Sequence, residues 1–252
     1  MTEETPSLLH ILRRPLADAE SAESVGLVSG AIVFIVGGGT TLLIARGRDL
    51  PISGPGSIGQ IVSIGGAVVA IVVFVVVGVL LRTTDARMRG ANPQSRLDLH
   101  PLDTAALAFA HAIIALLGWI GIADVVERSF VDAVVFPFSA ALLAGVAMGA
   151  TAYIVFLSAA HLTATSLSLV LATFLVVGVF ASMLSASDPH WWHKNLSALG
   201  VTDDISSLAF NLTLIVAGVI VTTIAHAATA HLPVRTEPER RGRSSARAAL
   251  IV

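Results

Sequence analysis

Six long apolar runs dominate the chain and restrict what it can fold into. A helix needs about 20 mostly apolar residues to cross a hydrocarbon core of about 30 Å, and its backbone groups have to be satisfied within the helix. Each run reaches that length. The sequence therefore predicts an all-α polytopic membrane protein with six transmembrane helices, at residues 25–45, 58–81, 104–123, 133–157, 165–186 and 205–228.

The composition agrees with this class, since 55% of the 252 residues are hydrophobic, 13% are charged and the mean hydropathy is +0.84. A soluble domain cannot hide so much apolar surface. The linkers are short, which predicts one transmembrane domain over residues 25–231. We expect residues 1–24 to form a cytoplasmic tail with a possible interfacial helix, and residues 232–252 to form a disordered, Arg-rich cytoplasmic tail.

The positions of the basic residues predict the orientation in the membrane, because cytoplasmic flanks collect Arg and Lys. Of the 15 basic residues, eleven fall on segments that share a side with the N-terminus, and four fall on the opposite side: Arg46, Arg48, Arg128 and Lys194. This distribution predicts that both termini are cytoplasmic. Fourteen Arg against one Lys favour a GC-rich bacterial source, and hence a multi-pass protein of the bacterial cell membrane.

The loop at residues 187–204 is the most unusual segment, because it places polar and aromatic residues together between two apolar runs. The predicted orientation places this loop outside. Trp191 and Trp192 are expected at the interface level that indole rings prefer, and Trp119 is expected in the same aromatic belt.

Asp188, His190 and His193 give this loop a possible chemistry, since a carboxylate and two imidazoles at a membrane surface can bind a divalent ion or act as acid and base on a lipid head group. The spacing is not a specific metal signature. Both His residues are also plausible as interfacial polar groups beside the tryptophans. Ser197 is better explained by a turn or cap before Gly200 than by a nucleophile, because no nucleophile elbow surrounds it.

The last apolar run carries a polar stripe within an arc of about 100°. An Asn exposed to lipid is unfavourable, so Asn211 is expected to point into the bundle or up against the outer loop, where its amide can hold the loop. The stripe comprises Ser207, Asn211, Gly218, Thr222, His226 and Thr229.

His111 and His226 suggest a second possible site, because both lie in the cytoplasmic halves of their helices. Two imidazoles from different helices can ligate haem iron or a metal, or relay protons. The alternative is that each one makes an ordinary hydrogen bond. Small residues at a spacing of four, Gly26 with Gly30 and Gly145 with Gly149, predict close helix contacts.

One stretch resembles a bacterial family of multi-helix membrane proteins of unknown function, in which a Ser-x-Leu-Gly loop precedes Phe-Asn at the start of a helix. That family is similar to eukaryotic six-helix proteins linked to autophagy and to lipid or lipid-anchor handling. The resemblance implies a membrane protein without an assigned reaction. The matching residues are Ser197, Leu199, Gly200, Phe210 and Asn211.

The sequence favours a protein that binds membrane lipids or a protein partner over an enzyme. The first hypothesis is that the outer loop and the polar stripe form one cavity for a lipid or a partner. The alternatives are a lipid-modifying enzyme that uses Asp188, His190 and His193, and a haem-binding or transport protein that uses His111 and His226. No cofactor and no nucleic acid are expected, and a membrane-protein partner or a homo-oligomer is possible.

Overall fold

The computed structural model describes residues 19–88, 101–130, 133–188, 190–201 and 205–229. These residues contain six helices, all long and apolar enough to cross a membrane, so the chain is a multi-pass integral membrane protein. The helices are α1 (Ala19–Ala45), α2 (Ile58–Met88), α3 (Pro101–Ser129), α4 (Pro137–Ala160), α5 (Ala164–Leu184) and α6 (Ile205–Thr229).

The helix boundaries differ from the expected ones where local chemistry overrides the apolar pattern. The first helix starts at Ala19, six residues earlier than its apolar run, and the second continues past Leu81 to Met88. α4 starts four residues late, because Pro137 occupies its first turn and the residues before it are extended. α5 starts at a reciprocal cap between Thr163 and Ser166.

Two connections on one side of the membrane are joined by a short antiparallel ribbon, which an all-α prediction does not include. Strand β1 (Leu50–Pro51) pairs with β2 (Val134–Val135). The backbone N–H of Ser53 also donates to a carboxylate oxygen of Glu127 near the end of α3, at 3.2 Å. These contacts join the α1–α2 and α3–α4 connections. We call this the loop side of the membrane, since the described residues 185–188 and 190–201 also lie there, and the opposite side the tail side.

α1 and α4 pack with their backbones in near contact along a row of glycines. A Cβ atom added to Gly149 would lie 2.8 Å from the carbonyl oxygen of Gly30, and one added to Gly30 would lie 3.0 Å from that of Gly149. A Cβ at Gly145 would similarly lie 2.8 Å from the carbonyl oxygen of Phe34. One glycine of each pair seen in the sequence, Gly30 and Gly149, thus faces the other, which is the close approach that small residues permit between membrane helices.

The buried apolar residues fall into two clusters. The tail-side cluster draws on α2, α3 and α4 and includes four buried residues of the last two helices: Leu167, Phe174, Val216 and Ile220. The loop-side cluster is centred on Met148 and is built from the first four helices and the ribbon, with no described residue of α5 or α6. The first four helices, which we call the bundle, thus have a core along their whole length. The α5–α6 hairpin shares only its tail-side half.

The hairpin holds itself together on the loop side through polar contacts between its own helices. Ser182 and Ser206 each donate from the side-chain hydroxyl to the other's backbone carbonyl oxygen, at 2.8 and 2.9 Å. One turn further into the membrane, Gly178 lets Thr213 approach so closely that a Cβ would clash with it. On the tail side, Thr223 donates to the carboxylate of Asp103 on α3 at 2.9 Å, which ties the hairpin to the bundle.

Several sequence-based predictions concern segments outside the described residues. These are the interfacial helix before residue 19 and the Arg-rich tail after residue 229.

Candidate functional site

The loop between α5 and α6 is a folded unit built on two short 3₁₀ turns, Trp191–His193 and Leu196–Gly200. Asp188 organises the first turn. One carboxylate oxygen accepts the backbone N–H of His190 at 2.9 Å, and the other accepts from the Nζ of Lys194 at 3.0 Å. Both oxygens of Asp188 are therefore engaged in holding the loop.

These contacts also set the electrostatics of Asp188. Two hydrogen bonds lower the pKa of the Asp188 carboxyl below its usual value. The one from the backbone N–H of His190 has the larger effect, and the one from Lys194 has the smaller. Both favour the ionised form. A carboxylate with a lowered pKa is a weak proton acceptor at neutral pH, so this arrangement suits a structural anion better than a general base.

The aromatic residues of the loop form a stacked group at its exposed edge. The ring of His193 lies 3.6 Å from that of Trp192 and 5.8 Å from that of His190, measured between ring centroids, in stacked orientations. Trp192 is 62% exposed, whereas its neighbour Trp191 is half-buried. The loop therefore holds one indole inward and presents the other outward.

The second 3₁₀ turn is capped by Asn195, whose side-chain oxygen accepts the backbone N–H of Ala198 at 3.1 Å and the hydroxyl of Ser197 at 2.7 Å. Ser197 thus supports the turn. At the end of this turn, the carbonyl oxygen of Gly200 accepts from Asn211 Nδ2 at 3.0 Å and from the Ser207 hydroxyl at 3.1 Å. The hydrogen bond expected from Asn211 to the loop is therefore present.

Gly200 has to be a glycine because of what it packs against and not because of its backbone conformation. Its φ is not among the positive values of the described glycines, so the turn does not require left-handed backbone. Instead, an added Cβ would lie 2.9 Å from Asn211 Oδ1 and 2.9 Å from the ring of Phe210, which is buried. The absence of a side chain lets the loop rest directly on α6.

The polar stripe of α6 does not line the interior of the protein. Asn211, Gly218 and Thr222 are exposed, and a Cβ at Gly218 would meet nothing within 4 Å. The buried polar residues of this helix lie on another face: Ser206, Thr213 and Thr223. Ser207, another member of the stripe, is half-buried and bonds to Gly200, and of the two positions expected for Asn211 the structure shows the one against the loop. The side chain of His226 lies outside the described residues, although α6 includes its backbone.

The space beneath the loop is too small for the cavity that the sequence suggested. A cavity of about 20 Å³ lies there, lined by residues that include Asp188, Trp191, Lys194 and Leu199. A water molecule needs at least about 10–15 Å³ by this kind of measure, so the cavity has room for little more than one water. Anything larger that binds here has to bind on the outer surface of the loop or beside the hairpin.

His111 lies in the tail-side core and uses both ring nitrogens. Nδ1 is 2.7 Å from the carbonyl oxygen of Leu107, and Nε2 is 2.9 Å from the hydroxyl of Ser158 on α4. A carbonyl can only accept, so this pattern assigns the proton of a neutral ring to Nδ1 and lets Nε2 accept from Ser158. Ligation of iron or another metal by Nε2 would require breaking the bond to Ser158.

Among the described side chains, no three His, Asp or Glu residues form a group that could hold a metal ion. The expected position of Trp119 in the aromatic belt is wrong. Its indole N–H donates to Thr151 Oγ1 on α4 at 3.0 Å, and the ring packs against Gly66 of α2.

The Ser182–Ser206 pair escaped prediction from the sequence, because serine is common at helix ends. The only available signal was the position of the two residues at either end of the same loop.

The fold and the site define a six-helix integral membrane protein with a folded, aromatic connection before its last helix. No known protein family, no characterised protein and no solved structure matches the chain.

Proposed function

We propose that the protein binds membrane lipid through the loop of residues 187–204 and the adjoining end of α6. The observation that carries this proposal is the fixed presentation of Trp192. Hydrogen bonds within the loop and to Asn211 hold the turn, and the indole stays 62% exposed while it stacks on His193. An exposed indole at the end of a transmembrane helix fits the interfacial region, where one part of the ring is apolar and its N–H can reach water or a head group.

Polar groups next to this indole supply the second half of the proposed surface. The Asp188–Lys194 ion pair is exposed to solvent on its Lys194 side and lies in the same loop. Such a pair offers one positive and one negative group at the level of the head groups. The surface therefore suits a lipid that combines a polar head group with hydrocarbon chains.

The proposed location of this surface is the outer face of a bacterial cell membrane, with both termini in the cytoplasm. The support is the distribution of Arg and Lys along the sequence. The resemblance to bacterial membrane proteins with a Ser-x-Leu-Gly loop is part of the same proposal.

Lipid retention after detergent extraction tests the proposed function. The protein is purified in detergent and washed repeatedly to remove loosely attached lipid. Native mass spectrometry then counts the phospholipid molecules that stay bound. Wild type should retain phospholipid. Trp192→Ala should lose most of it, because Trp192 is the exposed indole of the loop and the proposed lipid contact is made by this ring.

Leu43→Ala is the matched control, since Leu43 is an exposed apolar residue near the loop-side end of α1, far along the sequence from the loop. This variant should retain lipid like the wild type. Equal retention by Trp192→Ala and Leu43→Ala would overturn the proposed role of the loop.

A further inference from the structure

A serine hydroxyl and an imidazole meet at the tail-side end of the bundle. Ser158, in the last turn of α4, has its Oγ 2.9 Å from Nε2 of His111 on α3. The other ring nitrogen, Nδ1, donates to the carbonyl oxygen of Leu107, so Nε2 of the neutral ring accepts the hydroxyl proton of Ser158. A hydroxyl that donates to an imidazole nitrogen is the arrangement in which a serine loses its proton as it attacks a substrate.

The imidazole ring is held in this orientation by its surroundings. The carbonyl oxygen of Leu107 lies one helical turn before His111 and is 2.7 Å from Nδ1. The ring of Phe74 on α2 packs against the imidazole with 4.9 Å between the two centroids. His111 is 6% exposed, so bulk water does not compete for Nε2. In nucleophilic catalysis a third group orients the base, and here the carbonyl of Leu107 has that role.

Other serines of the described helices use their hydroxyl protons differently. Ser129 near the end of α3 donates to the carbonyl oxygen of Val125 at 2.9 Å, and Ser182 donates to that of Ser206 at 2.8 Å. A backbone carbonyl accepts a hydrogen bond but does not remove the proton. Ser158 differs because its partner is an imidazole, the side chain that most often acts as a general base.

The depth of Ser158 places it near the boundary of the hydrocarbon core. The span of α4 runs from Pro137 to Ala160, and its midpoint falls next to Met148. Ser158 lies ten residues further along the helix, roughly 15 Å at 1.5 Å per residue. Half of a hydrocarbon core of about 30 Å has the same length. The side chain of Ser158 is half-buried, so it is open to its surroundings at this level, whereas the base behind it is enclosed.

This depth selects the class of substrate. A glycerophospholipid carries its acyl esters between the hydrocarbon chains and the head group, so an ester carbonyl of the tail-side leaflet lies at the level of Ser158. Water, which hydrolysis also needs, reaches this boundary but not the middle of the bilayer. Both reactants therefore meet at the depth where the serine and the imidazole lie.

We propose that Ser158 and His111 form a catalytic dyad that hydrolyses an acyl ester of a glycerophospholipid in the tail-side leaflet. Ser158 Oγ forms a bond to the ester carbonyl carbon while its proton passes to Nε2 of His111. As the ester C–O bond breaks, Nε2 gives this proton to the leaving alkoxide, and the acyl chain stays on Ser158. Water then attacks the acyl carbonyl, and its proton passes through Nε2 to Ser158 Oγ as the fatty acid leaves. This activity goes beyond lipid binding by the loop and uses the opposite side of the membrane.

Labelling with an alkyl fluorophosphonate tests the dyad, because this reagent phosphonylates a serine that a base activates. Wild-type protein in lipid nanodiscs is treated, and the adduct is located by peptide mass spectrometry. The adduct should form at Ser158 and not at Ser129, although Ser129 is the more exposed of the two. His111→Gln should react at least about 100-fold more slowly, since a general base contributes about 10²–10⁴-fold. Absence of an adduct at Ser158, or labelling that follows exposure to Ser129, would overturn the proposal.

Two cysteine variants test the activation without removing the imidazole from the core. The chain has no cysteine, so Ser158→Cys and Ser129→Cys each carry a single thiol. An imidazole next to a thiol raises the fraction of reactive thiolate. A lipid-soluble maleimide should therefore react faster at residue 158 than at residue 129, against the order of exposure. Slower reaction at residue 158 would contradict activation by His111.

Release of fatty acid tests the class of substrate. Nanodiscs are prepared with phosphatidylglycerol that carries a radiolabelled acyl chain. Wild type should release labelled fatty acid, and Ser158→Ala purified in the same way should release none. Ser129→Ala is the matched control and should release it at the wild-type rate. An adduct at Ser158 without release of fatty acid by the wild type would overturn the assignment of a phospholipid ester.

Discussion

The bundle and the hairpin use different contacts to hold their helices, and the difference indicates that the hairpin can open independently of the bundle. α1 and α4 meet through backbone atoms at Gly30 and Gly149, and the core of the bundle extends from the tail side to the ribbon. Among the described residues, the hairpin shares the buried apolar cluster of the tail side and no cluster of the loop side, where the Ser182–Ser206 pair joins its own two helices. A bundle with a continuous core thus supports a hairpin that shares this core in one half.

A side chain in the backbone contact of the bundle should have the largest effect. Gly149→Leu places a Cβ 2.8 Å from the carbonyl oxygen of Gly30, and a backbone atom cannot move aside as a side-chain tip can. We expect a loss of about 3 kcal/mol in the free energy of unfolding, measured by thermal denaturation in detergent. Gly39→Leu, on the same α1 but in open space, should remain close to wild type. Equal losses would show that the glycine contact is not what holds α1 to α4.

Removal of the tail-side tie should affect the hairpin alone. Thr223→Val deletes the donor to Asp103, and the expected loss is about 1 kcal/mol, in the range of single hydrogen bonds between membrane helices. Hydrogen exchange should rise in α5 and α6 while α1 and α4 keep their protection. A uniform rise in hydrogen exchange over all six helices would contradict this prediction, because it would mean that the hairpin does not open independently of the bundle.

A change at Asn211 tests how the loop is held on α6. Asn211→Leu removes one of the two donors to Gly200, and because Ser207 still donates, we expect a loss of less than about 1 kcal/mol, confined to the loop. The backbone amides of residues 198–201 should exchange faster. Thr222→Val is the control, since Thr222 bonds only within its own helix, to the carbonyl of Gly218. Faster exchange in both variants would mean that the amide of Asn211 does not hold the loop.

The smallest predicted effect concerns pH. The pKa of Asp188 is lowered in the folded loop, so its contribution to stability is fully present above the unfolded value of about 3.8 and is lost as the pH falls through the folded value. The two hydrogen bonds that Asp188 accepts should therefore persist from neutral pH down to about pH 4. A titration of the Asp188 carboxyl by NMR should give a value below that of an ordinary aspartate, and Lys194→Met should raise it only partly. A value at or above the ordinary one would contradict the hydrogen bonds described for this carboxylate.

The sequence predicted the six helices because a transmembrane helix depends on length and hydropathy, which are local properties. It also identified the glycines of α1 and α4, since small residues at a spacing of four have few other uses in lipid. It did not predict which helices pair, because residues facing lipid and residues facing the core are both apolar. Nothing in the sequence therefore indicated that the hairpin shares only the tail-side cluster among the described residues.

The site shows where residue type misled the prediction and where it helped. Trp119 was expected at the interface from the preference of indole, but Thr151 offers its N–H a partner inside the bundle. Gly218 and Thr222 of the polar stripe are exposed, although polar residues tend to avoid lipid. Threonine can satisfy its hydroxyl on its own helix, however, so exposure is tolerable. Asn211 was located correctly because an amide near a membrane surface needs a strong partner, and Gly200 provides one.

The most direct test of the half-length docking of the hairpin compares two positions on the face of α6 that packs on the bundle. Ala209 and Val216 lie seven residues apart and therefore share this face, with Ala209 nearer the loop side. Their exposed neighbours Leu208 and Ile215 serve as references at the same depths. Single cysteines at these positions need no prior removal of thiols, since the chain has none, and each can carry a nitroxide. In lipid bilayers, the accessibility of the nitroxide to molecular oxygen, taken relative to the reference, should be higher at residue 209 than at residue 216. Equally low relative accessibility at both positions would show that the hairpin packs on the bundle along its whole length, and would contradict the half-length docking.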